Sequence, residues 1–390
     1  MTAARLCILP LLLQVTFAAV HDDDVSLQNA FPNLKFIAPV HLTYSPDSTD
    51  RLFVVEQLGE IHVFPNNPAI LETEIFLDLS KKIEAGGQSG MLGLAFHPKF
   101  RQNGYVFVNY TIEDEEIVYT YVSRFTVPSS SPDKADPASE VIFMKFPHPY
   151  NNLKGGSILF GADGYLYIST GDGGNIPGPQ HTAQDKTSLY GKILRIDVDN
   201  PEPIPSRNEH WIFYYGIPKE NPFAGNEENY REEIFAYGIR NIWKFSQDQQ
   251  TGAFWAGDPG EKSQERIIIL ENGKNYGWHV PDDTLKVKPP RPSEITLPVY
   301  EYQNTRNDCA IIGGYVYRGE AMKSLKNYYI YGDFCSGKIS VLKYENKRIT
   351  DHRLLYETPY RISSFGEDLH GELYVLDYTS GTIFRLRENP

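Results

Sequence analysis

The sequence predicts an all-β chain folded as a six-bladed β-propeller. Three observations lead there. Segments with strict two-residue alternation recur directly behind a glycine. Tyr and Phe are spread along the whole length, with 26 and 21 copies. Amphipathic helical periodicity is missing outside short stretches around 181–190. Strand–turn–strand units of irregular spacing, rich in Tyr, Phe and Gly, are what blade repeats look like in sequence.

Taken from the N-terminus, residues 1–18 (MTAARLCILPLLLQVTFA) pair one Arg with a short apolar run and small residues. This reads as a secretory signal peptide cut after Ala18, leaving one domain over 19–390. No stretch reaches the roughly 18–20 apolar residues a membrane span requires. Losing Arg5 takes the net charge from −13 to −14, an acidic balance that argues against nucleic acid and anionic membrane surfaces. The mature chain is expected to be extracellular.

The first blade signal is RLFVVEQL followed by Gly59 and EIHVF, and the next pair is GYVFVNYTI with YTYVSRFTV. YLYISTGDGG precedes Gly191 and KILRI across an insertion holding His181 and Gln184. TGAFWAGDPGE pairs with ERIIILENG. YYIYGDFCS precedes KISVL after Gly337, and ELYVLDYTS precedes TIFRL after Gly381. Each reads as a hairpin whose glycine supplies the turn conformation. About six such units fit the length. The Pro-, Asn- and charge-rich insertions 198–232 and 280–308 read as loops on one face. Cys7 leaves with the signal, so Cys309 and Cys335 remain as an even pair expected to be bonded in an oxidising compartment. Asn109-Tyr110-Thr111 is a glycosylation sequon inside an apparent strand.

Three constellations offer chemistry. In GGQSGMLGLAFHPKF the glycines permit close backbone approach, and Gln88 offers an amide to a central site; a plain blade connection reads equally well. In YGIRNIWKF, Arg240 supplies a rigid fork of donors for a carboxylate or quinone oxygen, with Asn241 beside it; an isolated pair of this kind is more often a structural salt bridge. In GDPGEKSQERIIILENGKNYGW, carboxylates, turn carbonyls and Tyr276 are oxygen ligands for Ca²⁺, or solvated loop charge. HExxH, Walker, GxSxG and paired-cysteine zinc spacings do not occur.

In order along the chain, GMLGLAFHPKF, GGSILFGADGYLYISTGDGG, SLYGKILRIDVD, YGIPKENPF, EIFAYGIRNIWKF, GKNYGW, GGYVYRG and YGDFCSGKI resemble the glucose/sorbosone dehydrogenase family of soluble quinoprotein sugar dehydrogenases. The resemblance is strongest to its secreted hedgehog-interacting-protein-like branch, and it covers about residues 30–388. It implies a six-bladed propeller whose top-face site holds pyrroloquinoline quinone (PQQ) with Ca²⁺ and oxidises an aldose. It further implies that Gln88, Arg240 and Asn241 contact the quinone, that Asp172 orients the catalytic histidine, and that the Gly260 carbonyl binds the cofactor Ca²⁺. Glu265 and Tyr276 fall in a second, structural Ca²⁺ site, where Arg266 stands in place of a further carboxylate. Arg318 takes the position of a site lysine. Arg361 matches one of two late arginines, and Pro359 replaces the other.

The departure lies in the base. The family pattern is a histidine, one residue, then Gly-Gly; here Gly155-Gly156 puts Leu153 at the histidine position, followed by Lys154. Oxidation at an anomeric carbon requires a proton acceptor, and loss of a general base costs roughly 10²–10⁴-fold. His148 is the nearest substitute, and Lys154 a weaker one that needs a depressed pKa. Three readings follow: a catalytically impaired extracellular module for a sugar, glycan or protein; a working quinone-dependent aldose dehydrogenase; and an acidic matrix or biomineral component.

Overall fold

The computed structural model describes residues 25–389 apart from 84, 149–151, 175–181, 206–207, 209, 261–263, 279–293 and 306. The predicted leader, His181 and most of the 280–308 insertion lie outside the described residues.

Strand β1 (Val25–Asn29) is followed by β2 (Pro39–Tyr44), β3 (Arg51–Glu56), β4 (Glu60–Pro65) and β5 (Glu74–Asp78). Then come β6 (Met91–Phe96), the single-turn α1 (Phe100–Asn103), β7 (Tyr105–Asp114), β8 (Ile117–Thr126) and β9 (Asp136–His148). A third run holds β10 (Ile158–Phe160), β11 (Leu166–Thr170), β12 (Lys192–Ile196), β13 (Ile212–Phe213) and β14 (Ile234–Tyr237). A fourth holds β15 (Phe245–Gln247), β16 (Phe254–Pro259), β17 (Gln264–Leu270) and β18 (Tyr300–Gln303). The chain ends with β19 (Ile311–Val316), β20 (Tyr328–Asp333), β21 (Lys338–Glu345), β22 (Arg348–Glu357), β23 (Ile362–Glu367), β24 (Leu373–Asp377) and β25 (Ile383–Glu388).

Consecutive strands pair antiparallel, as short connections dictate. The sheets are β13-β9-β8-β7-β6, β10-β11-β12-β14, β15-β16-β17-β18, β19-β20-β21-β22, and an eight-stranded β1-β25-β24-β23-β2-β3-β4-β5. The last is two antiparallel halves joined at one parallel residue pair, Leu42↔Gly366. Its outer edge is sealed by β1 on β25, from Val25↔Glu388 to Asn29↔Phe384, so both ends of the described chain share one sheet. Inner strands pack in sequence: β2 against β6, β6 against β10, β15 against β19, β19 against β23.

Two-residue alternation explains the core. Along β3, Phe53 and Val55 face the sheet that begins with β6, while Leu52 and Val54 face Tyr374 and Leu376 of β24. All four are fully buried, because each sheet is covered on both faces by its neighbours. The hairpins expected from the glycine-led segments appear as β3–β4, β11–β12, β20–β21 and β24–β25, and the two further pairs as β7–β8 and β16–β17. The only α-helix among the described residues is α1; 182–190 folds as turns, not as a helix.

Asn109 requires a correction. It sits in β7, 1 % exposed, with both side-chain amide atoms buried. A glycan on its nitrogen has no room in this fold, so the sequon is structural here.

Cys309 and Cys335 are bonded, Cα atoms 5.5 Å apart. The Asp333 carboxylate organises the same corner, accepting N–H bonds from Cys309, Ala310, Cys335 and Ser336 at 2.8–3.1 Å. The bridge closes a 26-residue separation, which corresponds to about 3.5 kcal/mol of unfolded-state entropy. The Cys309→Ala/Cys335→Ala variant is therefore expected to lose about 3 kcal/mol of stability, read as a lower urea midpoint, with a slope equal to or steeper than the parent's because the released unfolded chain exposes more surface.

Candidate functional site

Where the inner strands converge, an open cavity of about 390 Å³ is lined by Gln57, Gln88, Asn241, Trp243, Pro259, Phe334 and Tyr378, with the Ile311 end of β19 beside them. Loops from four sheets reach its rim, and hydrogen bonds between side chains and backbone hold them there.

The Gln88 side-chain oxygen accepts the Leu153 N–H at 2.8 Å, the Lys154 N–H at 3.4 Å and the Asn241 amide at 3.2 Å. Asn241 Oδ1 in turn accepts the Gly155 N–H at 2.8 Å. Gln57 donates to Gly87 O and Ser89 O, on either side of Gln88, and accepts the Tyr378 hydroxyl. The Asp258 carboxylate, fully buried, accepts the backbone N–H groups of Arg240 and Asn241 at 3.1 and 2.9 Å. Asp172 donates its N–H to Arg240 O at 2.8 Å. Gln88, Leu153, Asp172, Arg240 and Asn241 are thus one connected group.

Leu153 has φ +53°, a conformation that costs a non-glycine residue roughly 1–2 kcal/mol. Its N–H is held by Gln88, and its carbonyl lies 3.0 Å from His148 Nε2. A Cβ on Gly171 would stand 1.7 Å from that carbonyl, so only glycine allows the loop this close to the strand end beyond β11.

His148 does not take over the base position. It is 2 % exposed; Nε2 is committed to the Leu153 carbonyl, and Nδ1 is buried without a hydrogen bond. Burial, reinforced by the nearby Lys154 charge, lowers its pKa to about 3, so it is neutral and a weak acceptor. Asp172 is engaged elsewhere. It accepts the Trp278 indole N–H at 2.7 Å and the Gly174 N–H at 3.0 Å. Lys154 is 2 % exposed, and burial lowers its pKa to about 8.

Arg240 lies with its guanidinium 5.4 Å from the Trp278 ring and 3.4 Å from Pro259 O. Exposed Arg361 stands at the rim, 5.6 Å over the Phe334 ring. Arg318 is not brought to this group. Strand β19 runs from the cavity at Ile311 away to Val316, and Arg318 pairs at the far end with Asp248, at 2.8 and 2.6 Å. A residue two positions beyond that strand cannot return to the cavity.

A family model described as Glucose / Sorbosone dehydrogenase matches residues 36–385. The chain belongs to the glucose/sorbosone dehydrogenase family. It is 32% identical over 352 residues to the HIPL2 protein of Arabidopsis thaliana, covering 75% of this chain and 50% of that one. It is 28% identical over 367 residues to the Hedgehog-interacting protein of Homo sapiens, covering 87% and 48%. It therefore spans about half the length of these relatives. The crystal structure of the soluble aldose sugar dehydrogenase of Escherichia coli in its apo form superposes with TM-score 0.71 at 22% identity, over 94% of this chain and 99% of that one. The PQQ-bound aldose sugar dehydrogenase of Streptomyces coelicolor gives TM-score 0.71 at 18% identity, over 95% and 100%. These neighbours establish an all-β fold of the sugar-dehydrogenase kind.

Measured against that family's cofactors, the donor set fits a quinone. The Gln88 and Asn241 amides and the Arg240 guanidinium suit carbonyl and carboxylate oxygens. At Gly260 a Cβ would meet Gln264 O at 2.0 Å, so this turn requires glycine beside Pro259. A structural Ca²⁺ at Glu265 and Tyr276 does not fit. The Arg266 guanidinium is paired with Asp258 and donates to Tyr276 O at 2.7 Å, placing a positive charge among the oxygens that a cation would need. The Tyr276 hydroxyl is spent on Ile269 O at 2.6 Å and on the Glu271 N–H.

Gln57, Trp278 and Asp258 hold the site together in ways the motifs do not announce. All three lie inside quoted segments, Gln57 near the end of RLFVVEQL, where the alternation marks a strand but nothing marks the amide.

Glu265 is fully buried and accepts Asn304 Nδ2 at 2.8 Å and the Ile311 N–H at 2.9 Å. Desolvation raises its pKa to about 7. A raised carboxyl pKa contributes stability that is complete below the ordinary value and is lost as pH climbs from about 4.5 to about 7. Glu265→Gln is expected to flatten this dependence and to match or exceed the parent above pH 7, by on the order of 2 kcal/mol. Its new amide has an acceptor, since Asn304 Oδ1 is buried without a partner and the Asn304 amide can turn. Urea unfolding across pH 4–8 checks this, and Ca²⁺ is expected to stabilise neither form through this site.

Proposed function

We propose that this chain is an extracellular six-bladed propeller of the sugar-dehydrogenase fold. On this reading it has lost most or all sugar oxidation and uses its axial cavity to bind a ligand: a sugar, a glycan or an extracellular protein. Division of the eight-stranded sheet at Leu42↔Gly366, with β1 paired to β25, supports a count of six. Secretion rests on the leader-like residues 1–18.

One observation carries the functional part. At the position where the family pattern has a histidine, the loop is held in place by Gln88 and His148 but presents Leu153, while Asp172 is bonded to Trp278. PQQ, when bound in such a site, accepts hydride from the anomeric carbon. The residues around it must take the hydroxyl proton, and leucine has no lone pair to do so. Gln88, Arg240 and Asn241 still offer groups to orient a polar ligand. The E. coli relative, Aldose sugar dehydrogenase YliI, is 27% identical over 314 residues, covering 77% of this chain and 78% of that one. It supports a working dehydrogenase as the second reading, which the intact Gln88–Asn241 pair favours.

The two readings separate in one assay. Mature protein incubated with PQQ and Ca²⁺ is assayed for aldose oxidation with an artificial electron acceptor, and quinone binding is followed separately by absorbance. Turnover is expected to be absent or at least about 10²-fold below that of Leu153→His. Histidine tolerates the left-handed backbone at 153 better than leucine does, so the variant is expected to fold. Robust turnover by the parent would overturn the proposal. A Leu153→His variant that binds quinone yet gains no activity would refute the missing base as the cause.

A further inference from the structure

We propose that Glu56, Glu60 and His62, on the β3–β4 hairpin, form a binding site for a divalent transition-metal ion of the zinc type. This does not depend on the reading of the axial cavity.

The three ligand atoms all lie within 4.8 Å of one another. His62 Nε2 is 3.4 Å from Glu56 Oε1 and 3.6 Å from Glu60 Oε2. A tetrahedral ion about 2.0–2.1 Å from each ligand sets the ligands roughly 3.3 Å apart. The two His62–carboxylate separations are therefore edges of such a tetrahedron, slightly opened. It is too long for hydrogen bonds of ordinary strength. Nε2 is buried and makes no hydrogen bond, although it faces two carboxylates.

The ring is held ready for coordination. Its other nitrogen, Nδ1, lies 2.9 Å from Thr73 Oγ1. With Nδ1–H donating to that hydroxyl, Nε2 keeps its lone pair toward the carboxylates, the usual outer-sphere arrangement of a metal-binding imidazole. Phe36 packs edge-on against the ring at 5.6 Å and fixes its plane. Glu56, 4 % exposed, is anchored by the Ile37 N–H at 2.6 Å. Glu60 is partly exposed and leaves a route for the ion and a fourth position for water. One imidazole with two carboxylates suits zinc over Ca²⁺ or Mg²⁺, which prefer oxygen alone. The position gives the ion a structural consequence. Glu56 precedes Gln57, whose amide brackets Gln88, so a bound ion stiffens the hairpin that places the cavity loop.

The test uses the mature chain without an affinity tag, stripped with chelator and titrated with Zn²⁺ by calorimetry in excess Ca²⁺. Co²⁺ absorption reports the coordination. One equivalent is expected to bind, with the intense visible bands of four-coordinate cobalt. His62→Ala is expected to weaken that binding at least about tenfold, as loss of a ligand requires. Absence of binding, or binding unchanged in His62→Ala, would overturn the site. If circular dichroism shows that His62→Ala does not fold, the more exposed Glu60→Gln decides by the same criterion. Glu60→Gln binding Zn²⁺ like the parent would then refute the proposal.

Discussion

The side-chain oxygen of Gln88 is the point on which the site depends. It gathers N–H donors from two other sheets: the backbone of Leu153 and Lys154, and the amide of Asn241. No sheet here could position the others' loops by itself, because inner strands meet mainly through side-chain packing. Side-chain amide bonds between sheets convert that packing into a defined rim. Each is worth about 1 kcal/mol net, but removing the shared acceptor would orphan up to three donors in a largely buried place. Gln57 holds the Gln88 loop from behind, and Asp258 holds the Arg240–Asn241 turn. The rim is thus a chain of anchors, each itself anchored.

Much of the fold was legible in short-range pattern. β3–β4 and β24–β25 announce themselves by alternation on either side of one glycine, since the turn needs a positive φ and the strands need two faces. Strand β9 was not legible. Its sequence, DPASEVIFMKFPH, carries a proline one residue in from each end and lacks strict alternation, and it is made a strand by ten-residue β8 lying beside it. Nor does local sequence reveal the pairing of β1 with β25, a contact between residues more than 350 positions apart. Closure of that kind is decided by which edges remain unpaired once every hairpin has formed.

The site divides the same way. Gln88, Asp172, Arg240 and Asn241 were identified by motif, and the structure brings them together. The resemblance puts Arg318 at the position of a site lysine, but strand direction overrules it: β19 carries Arg318 to the opposite end, where Asp248 takes it. Asn109 satisfied a sequon that reads three residues and knows nothing of burial. Glu265 and Tyr276 looked like cation ligands because both carry oxygen. Arg266, next in sequence, turns its guanidinium toward Asp258 and supplies the positive charge from within the chain.

Leu153 shows how far backbone geometry and side-chain chemistry separate. A leucine in the left-handed region is unfavourable in isolation, and nothing about leucine asks for it. What imposes the conformation lies outside the residue: Gln88 on its N–H, His148 on its carbonyl, and Gly171 leaving room beneath. Those partners grip the main chain and make no use of the leucine side chain. The loop therefore persists whether or not residue 153 does chemistry. His148 is part of that support, and burial as a neutral donor suits it to hold a carbonyl rather than accept a proton. The course of this loop is independent of the side chain at 153 because the contacts that shape it are made to the main chain.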